Sequence, residues 1–222
     1  MADVFRNLDW SVLTGALLAI IPALLCITVH ELSHGYVAYR LGDNTAKNAG
    51  RLTMNPIRHI DIVGLLAMIF FRFGWAKPVP VNMWKFKSPK KGMAITALAG
   101  PASNILLAVV VLFIYGAVEP KLYGRGGIAE IIDQGLLQLA GLSTMLAVFN
   151  MLPFPPLDGS KIYFSLLPDR AYYKLMEFER YGMIVLFVLI MTDTLGGFLS
   201  TAVESVFSRL YHVKEFSFQL FY

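Results

Sequence analysis

The feature that most constrains this chain is an uninterrupted apolar run over residues 10–29. Twenty helical residues, at about 1.5 Å each, span the roughly 30 Å hydrocarbon core of a bilayer. The run continues directly into the pentad HELSH (30–34) and keeps a helical composition as far as Arg40. A cleaved signal peptide is disfavoured because the preceding segment is more acidic than basic. The sequence therefore begins with a long helix that carries ionisable residues at its membrane boundary.

The composition agrees with a chain whose main solvent is lipid. Of its 222 residues, 15% are charged and 56% are hydrophobic, whereas a soluble domain carries about 25% charged residues. No linker-like stretch divides the chain, so we expect a single domain over residues 1–222. The lone cysteine, Cys26, excludes an intramolecular disulfide. The net charge of +4 is attributed to basic loops that orient a membrane protein, and no nucleic-acid partner is expected.

Further apolar segments predict an all-α polytopic membrane protein with about five to six transmembrane helices. Residues 93–118, which Gly100-Pro101 interrupts, and residues 128–152 read as spans. Residues 183–207 are apolar around a polar centre and fit either one broken span or two short helices. The number of C-terminal spans therefore stays open.

A different local structure is expected between the first two spans. Residues 62–73 are apolar but too short to cross as a helix. The segment GWAKPVPVN (74–82) combines alternating valines with two prolines, which disfavours a helix and indicates a re-entrant, β-hairpin-like loop. Such a backbone needs shelter from lipid in protein or in a wet cavity. One hypothesis is that its edge holds an extended peptide by β-augmentation.

The distribution of lysine and arginine predicts the orientation. Residues 40–58, 72–91 and 161–180 are rich in basic side chains, whereas the loop 119–127 has only two. Because basic loops stay on the cytoplasmic side, the N-terminus should lie outside. We therefore expect an integral protein of a bacterial-type plasma membrane, with residues 30–34 nearer the cytoplasm.

The pentad HELSH carries a pattern typical of zinc sites. His30 and His34 are four residues apart, so a helix presents both imidazoles on one face. Glu31 is then placed to act as the base that takes a proton from an attacking water. The alternative is a solvated helix with ordinary polar residues. We disfavour it because ionisable groups within a membrane span are costly and serve a function by default.

A catalytic zinc ion needs a third protein ligand, and several residues could supply it. Asp158 follows a proline-rich break beside an apolar span, which leaves its carboxylate free to point inward; its alternative role is an N-cap. Asp61 is a further candidate. The remaining candidates lie in basic, interfacial or charged segments, where solvated side chains are expected: His59, Glu177, Glu179 and His212.

Several segments together resemble the site-2 protease family of intramembrane metalloproteases. HELSH looks like that family's zinc-binding helix, GPASN (100–104) like its Gly-Pro-x-x-Asn element, and NMLPFPPLDG (150–159) like the pattern that supplies its third ligand. RLTMNPIRHID (51–61) and GWAKPVPVN are similar to the membrane-proximal segments of the short bacterial-type branch. The motifs occur in the family's order.

The resemblance implies a set of roles. His30, His34 and Asp158 would bind one Zn²⁺, Glu31 would be the catalytic base, and Asn150 would stabilise the oxyanion. The substrate would be a transmembrane segment of another membrane protein, cut in regulated intramembrane proteolysis. Asn104 is expected to be structural. Ser160 stands where the family often has glycine, which leaves the ligand untouched. No PDZ or other regulatory domain is expected within this length.

Two other functions would use the same ligands. A non-proteolytic zinc-binding membrane protein or transporter would not need Glu31, and a His-rich loop would favour it, but the chain has only four histidines. An inactive scaffold would not need an intact base and ligand set. The sequence does not indicate the substrate, the pathway, a prior cleavage or the oligomeric state.

Overall fold

The computed structural model describes residues 10–64 and 75–222, with no side-chain description for residues 10–14, 16 and 17. The described residues form helices joined by short loops, with 3₁₀ turns at Pro56–His59 and Met83–Lys85. In chain order the helices are α1 (Trp10–Arg40), α2 (Thr45–Asn48), α3 (Pro89–Leu122), α4 (Gly127–Asn150), α5 (Asp158–Phe164), α6 (Asp169–Glu177), α7 (Glu179–Met191) and α8 (Gly196–Phe221).

The predicted all-helical character is confirmed for this part of the chain. Neither described range contains a β-strand; one isolated antiparallel bridge joins Ile60 to Ala76. Three helices are long and apolar enough to cross a membrane, namely Leu18–Arg40 of α1, α3 and α4. They correspond to the three spans that the hydropathy pattern predicted.

Helix α3 lies at the centre and packs against α1, α4, α5 and α8. The sequence suggested an interruption at Gly100-Pro101, but the helix is continuous there from Pro89 to Leu122. A proline within a helix removes one backbone donor, and the packed neighbours keep the helix intact around that missing bond. The expected break was wrong because local propensity yields to tertiary packing here.

The apolar core at one end of α3 joins three helices. Val111 and Leu112 of α3 and Ala140 of α4 are buried, and side chains of α8 cover them, including Phe207 and Leu210. The Lys214–Glu119 ion pair, at 2.5 Å, lies beside this cluster. Helix α8 is therefore held to α3 by both apolar and polar contacts.

The C-terminal helices form an elbow. Helices α7 and α8 are bent by 90° at a short break, and only the two together are long and apolar enough to cross a membrane. The described residues thus contain three candidate spans, or up to four if the pair counts as one broken span. The predicted apolar segment 62–73 lies largely outside the described residues, as does Gly74 of the predicted loop.

The remainder of that loop, residues 75–82, is extended and hydrogen-bonded to its surroundings. Lys77 donates its backbone N–H to His59 O at 2.9 Å, and its carbonyl accepts from Arg51 at 2.6 Å. The Asn82 N–H bonds the buried Asp43 carboxylate at 2.6 Å. Burial raises the pKa of Asp43, but the bonds from Asn82, Thr45 and Lys85 outweigh it and lower that pKa overall. An ionised Asp43 therefore anchors this segment beside the end of α1.

Candidate metal centre

The two histidines of HELSH lie side by side on the buried face of α1. Their ring centroids are 4.6 Å apart in an edge-to-face arrangement, and His30 and His34 are 5% and 8% exposed. Four residues advance a helix by about one turn, which brings the two rings together on one face. The spacing in the sequence therefore led to the correct local geometry.

Asp158 reaches these histidines from a distant part of the chain. Its Oδ2 lies 3.0 Å from His30 Nε2 and 3.1 Å from His34 Nε2. The turn after α4 ends at Leu157, which occupies the N-cap position, so Asp158 is the first residue of α5. The N-cap alternative for Asp158 is therefore wrong.

The rings are oriented by hydrogen bonds at their other nitrogens. His30 Nδ1 lies 2.7 Å from Asn104 Oδ1. The Asn104 amide donates in turn to Cys26 O at 3.2 Å and to Ser143 Oγ at 3.1 Å. These two donor bonds fix the amide so that its oxygen faces His30. Asn104, which is fully buried, is thus the positioning partner of a candidate ligand, which the sequence indicated only as a structural residue.

His34 is oriented in a similar way by backbone. Its Nδ1 lies 2.7 Å from Thr96 O, a carbonyl that can only accept a hydrogen bond. Both histidines therefore carry the proton on Nδ1 and direct an Nε2 lone pair toward Asp158. Three acceptor atoms that face one another need a cation between them, and two imidazoles with a carboxylate suit zinc. The residues present thus fit the ion that the sequence predicted.

Gly100 makes room for this arrangement on α3. A Cβ atom added there would overlap the His34 ring at Nε2 and Cε1 and lie 2.6 Å from His30 Cε1. Any side chain would displace at least one imidazole. Gly100 therefore allows close packing of α3 against the two histidines themselves.

Glu31 has a partner that the sequence did not reveal. Its Oε2 accepts the backbone N–H of Val79 at 2.8 Å. A carboxylate has two oxygens, so this bond orients Glu31 without exhausting its capacity to accept a proton. The extended segment 75–82 therefore positions the candidate base. Periodicity and motif spacing contain no signal for such a backbone contact.

Asn150 lies close to the histidines but is bonded within its own helix. Its Nδ2 donates to Leu146 O at 2.9 Å. The side chain lines a cavity of about 260 Å³. The other residues around this cavity include the three candidate ligands, Glu31, Val79 and Lys161. Ligands, candidate base and Asn150 thus share one cavity.

The other metal-ligand candidates lie elsewhere. Within residues 10–64 and 75–222, His30, His34 and Asp158 form the one group of three or more potential ligands whose donor atoms lie within 4.8 Å. His212 is exposed and bonds Glu215, as expected for a solvated residue. His59 is 1% exposed and bonds Thr53 O, so the expectation that it is solvated was wrong. A 3₁₀ turn and the 75–82 segment cover it.

The remaining acidic candidates also have local roles. Asp61 accepts the backbone N–H of Gly64 at 2.8 Å. Glu177 is exposed, in agreement with the expected solvated face. Glu179 pairs with Lys161 at 3.2 Å, which connects the start of α7 to α5 beside the candidate site. The sequence had not associated Lys161 with the site.

Comparison with known proteins identifies relatives of this chain. The family model described as "Peptidase family M50" matches residues 18–192. A protein of Bacillus subtilis described as "Putative zinc metalloprotease YwhC" is 41% identical over 183 residues, covering 81% of this chain and 82% of the relative.

More distant relatives have similar descriptions. "Putative zinc metalloprotease Rip2" of Mycolicibacterium smegmatis is 28% identical over 200 residues, covering 88% of this chain and 74% of its own length. "Putative zinc metalloprotease MJ0611" of Methanocaldococcus jannaschii is 30% identical over 165 residues, covering 73% and 76% respectively. No solved structure shows a significant match.

Proposed function

The chain belongs to peptidase family M50, the site-2 protease family, and is a zinc metalloprotease; from that premise we propose that it hydrolyses peptide bonds within transmembrane segments of other membrane proteins. The observation that carries the proposal is the meeting of three buried acceptor atoms beside Glu31 in one cavity. The candidate spans of α1, α3 and α4 favour substrates that reach the cavity through the membrane. Regulated intramembrane proteolysis is the corresponding physiological role.

We assign His30, His34 and Asp158 as the ligands of one zinc ion. When bound there, zinc supplies Lewis acidity that activates water and polarises the scissile carbonyl. Asn104 and the Thr96 carbonyl hold the two imidazoles with Nε2 toward the ligand position. This support keeps the ligand geometry fixed during turnover.

Glu31 is the proposed general base. It accepts a proton from the attacking water as the new carbon–oxygen bond forms, and it returns a proton to the amine nitrogen as the carbon–nitrogen bond breaks. The Val79 N–H holds one of its oxygens at 2.8 Å, so the carboxylate keeps its direction toward the cavity.

Asn150 is the proposed oxyanion donor. In this role the amide turns from Leu146 O toward the substrate carbonyl, which lies in the same cavity. Such a donor stabilises negative charge that develops in the transition state. An Asn150→Ala variant should lose about 10²–10³ in kcat, with bound zinc unchanged. A loss of zinc would instead indicate that Asn150 supports the fold of the site.

A helical substrate has its amide bonds already hydrogen-bonded, so cleavage requires local unwinding. The 75–82 segment is the proposed re-entrant hairpin edge that receives the unwound strand. Its neighbour across the isolated bridge is Ile60. Substrates with helix-breaking residues near the cut should therefore be preferred.

The proposal also covers the topology: the protein crosses the membrane five or six times, and α7 and α8 form either two separate spans or one broken span. The membrane is a bacterial-type plasma membrane, and the candidate site lies toward its cytoplasmic side. Orientation is testable with cysteine labelling. In a Cys26→Ser background, the single-cysteine variant Lys87→Cys should be shielded from an impermeant maleimide in intact cells. The single-cysteine variant Tyr123→Cys should react with it. The reverse pattern would place the site on the outer side.

The central experiment compares purified wild type with Glu31→Gln, measuring bound zinc and cleavage of a model transmembrane peptide. We expect Glu31→Gln to retain zinc and lose cleavage, with Glu177→Gln, an exposed glutamate outside the cavity, as the matched control. Cleavage by Glu31→Gln at the wild-type rate would exclude Glu31 as the base. Equal zinc in both proteins with no cleavage of any peptide would favour a non-proteolytic zinc-binding protein or transporter.

A further inference from the structure

A second cavity, of about 210 Å³, lies on the other side of the candidate catalytic residues. It shares His30, Glu31, Asn150 and Pro156 with the metal-site cavity, so these residues form a common wall. We call it the apolar chamber because most of its other lining is hydrophobic: Ile27, Leu146, Phe149, Leu157, Met183 and Leu186. The scissile bond of any substrate at Glu31 would lie at the junction of the two spaces.

The two spaces differ in chemistry. The metal-site cavity is bordered by the Lys161 ammonium and by Asp158. The apolar chamber, as far as the described residues line it, has no charged side chain beyond the shared His30 and Glu31. Water and developing charge are favoured in the first space, whereas the second favours hydrocarbon.

The wall that α7 contributes to the chamber is closely packed. A Cβ atom on Gly182 would overlap the carbonyl of Pro155, so α7 approaches the proline-rich turn without a side chain between them. Leu186, one turn further on, is 2% exposed and packs with Leu152 and Leu157. Met183, which follows Gly182, is therefore held at the chamber by contacts on both sides of it.

The size of the chamber matches one large side chain. An apolar cavity of about 150 Å³ lined by leucine, isoleucine and phenylalanine holds a benzene molecule. The chamber is larger, at about 210 Å³, and is lined by similar residues. It has room for a leucyl or phenylalanyl side chain but not for a whole helix, so the occupant is one residue of an unwound peptide.

We propose that the apolar chamber is the specificity pocket of the protease, which takes a large hydrophobic side chain from a residue that flanks the scissile bond. The inference rests on the proposed proteolytic function. Met183 is the specificity-determining residue on α7, because it borders the chamber and is absent from the buried cluster that holds α7 in place. The metal-site cavity then receives the backbone and the water.

The experiment uses purified full-length protein with zinc and a set of transmembrane peptides that carry Ala, Leu or Phe at each position flanking the cut. Met183→Trp fills the chamber and Met183→Ala enlarges it. The matched control is Met191→Trp, which adds the same bulk on an exposed residue of the same helix. Bound zinc is measured for every variant, so that loss of the site is separated from loss of preference.

We expect Met183→Trp to lower kcat/KM for the Leu and Phe peptides by about 10-fold or more relative to the Ala peptide, since one or two methylenes change discrimination by that amount. Met183→Ala should shift the preference toward Phe. Met191→Trp should follow wild type. An equal loss on all peptides, or a change no larger than in Met191→Trp, would overturn the assignment.

A binding measurement separates this inference from the proposed function. In the Glu31→Gln background, the Leu peptide should bind more weakly when Met183 is also replaced by Trp, and the Ala peptide should not. If the Leu and Ala peptides bind equally with and without Met183→Trp, the chamber is not a specificity pocket, even when wild type cleaves both. If no peptide is cleaved but Leu binding still depends on Met183, the proteolytic function fails and the pocket for an apolar side chain remains.

Discussion

Two of the close approaches to helix α3, at Gly100 and at Gly116, involve different kinds of neighbour. At Gly100 the neighbours are the His34 and His30 rings, whereas at Gly116 the neighbour is the backbone carbonyl of Lys214 on α8. Both positions are buried, and both lack room for a Cβ atom. One close approach orders a candidate metal site, and the other joins two helices.

The two regions also differ in how their buried polar groups are hydrogen-bonded. Beside Gly100, polar side chains are linked in series, from His30 through Asn104 to Ser143. Beside Gly116, single polar contacts support an apolar cluster, such as the Ser217 hydroxyl that donates to Phe113 O at 2.6 Å. A connected network fixes the direction of each member, whereas an isolated bond mainly adds stability. Mutations in the first region should therefore affect activity, and mutations in the second should affect unfolding.

The largest effect is expected for Gly100→Ala. The added methyl group would displace one imidazole, and a shift of about 1 Å at a catalytic group can reduce the rate by about 10². Peptide cleavage should therefore fall by about 100-fold or more, with reduced zinc content measured by atomic absorption. Wild-type zinc and activity in a folded Gly100→Ala protein would contradict the close approach described for α3.

A smaller effect on the same region is expected for Asn104→Ala. His30 would lose the acceptor at Nδ1, and loss of such a partner weakens metal affinity by about 10–100-fold. Competition with a zinc chelator measures this change. Ser143→Ala is the control, because Asn104 then keeps its bond to Cys26 O and zinc affinity should change less. Equal zinc affinities in wild type and Asn104→Ala would show that Asn104 does not position His30 for zinc binding.

Gly116→Ala tests the other region. The methyl group would push α8 from α3, and overpacking of this kind costs about 1–3 kcal/mol in the free energy of unfolding. Thermal unfolding in detergent should show the loss, while the folded fraction keeps its zinc and its kcat. A selective loss of zinc at unchanged unfolding temperature would show that the two regions are coupled.

Ser217→Ala should have the smallest effect. It removes one buried hydrogen bond between α8 and α3, which contributes about 1 kcal/mol, and activity should be unchanged. Ser208→Ala, whose bond lies on the exposed surface of the same helix, should be near neutral in the same unfolding measurement. A change in cleavage by Ser217→Ala would indicate that the α3–α8 contact affects the candidate site.

The sequence predicted features that depend on local spacing. Apolar runs gave the three spans because hydrocarbon thickness determines helix length, and the four-residue spacing placed His30 beside His34. Asp158 was added through a resemblance of motifs. The Val79 contact to Glu31 and the packing of α8 on α3 were not predicted, because neither leaves a periodic trace in the sequence. Contacts between distant segments depend on three-dimensional packing that one sequence does not specify by pattern.

The position of Asp158 has a consequence for the order of synthesis. It lies 128 residues after His30, and chains are made from the N-terminus at about 5–20 residues per second. HELSH is therefore inserted several seconds before its third candidate ligand exists. The newly made chain therefore passes through the insertion machinery without a complete metal site, and it can become competent to cut only after Asp158 has been synthesised and has packed against α1.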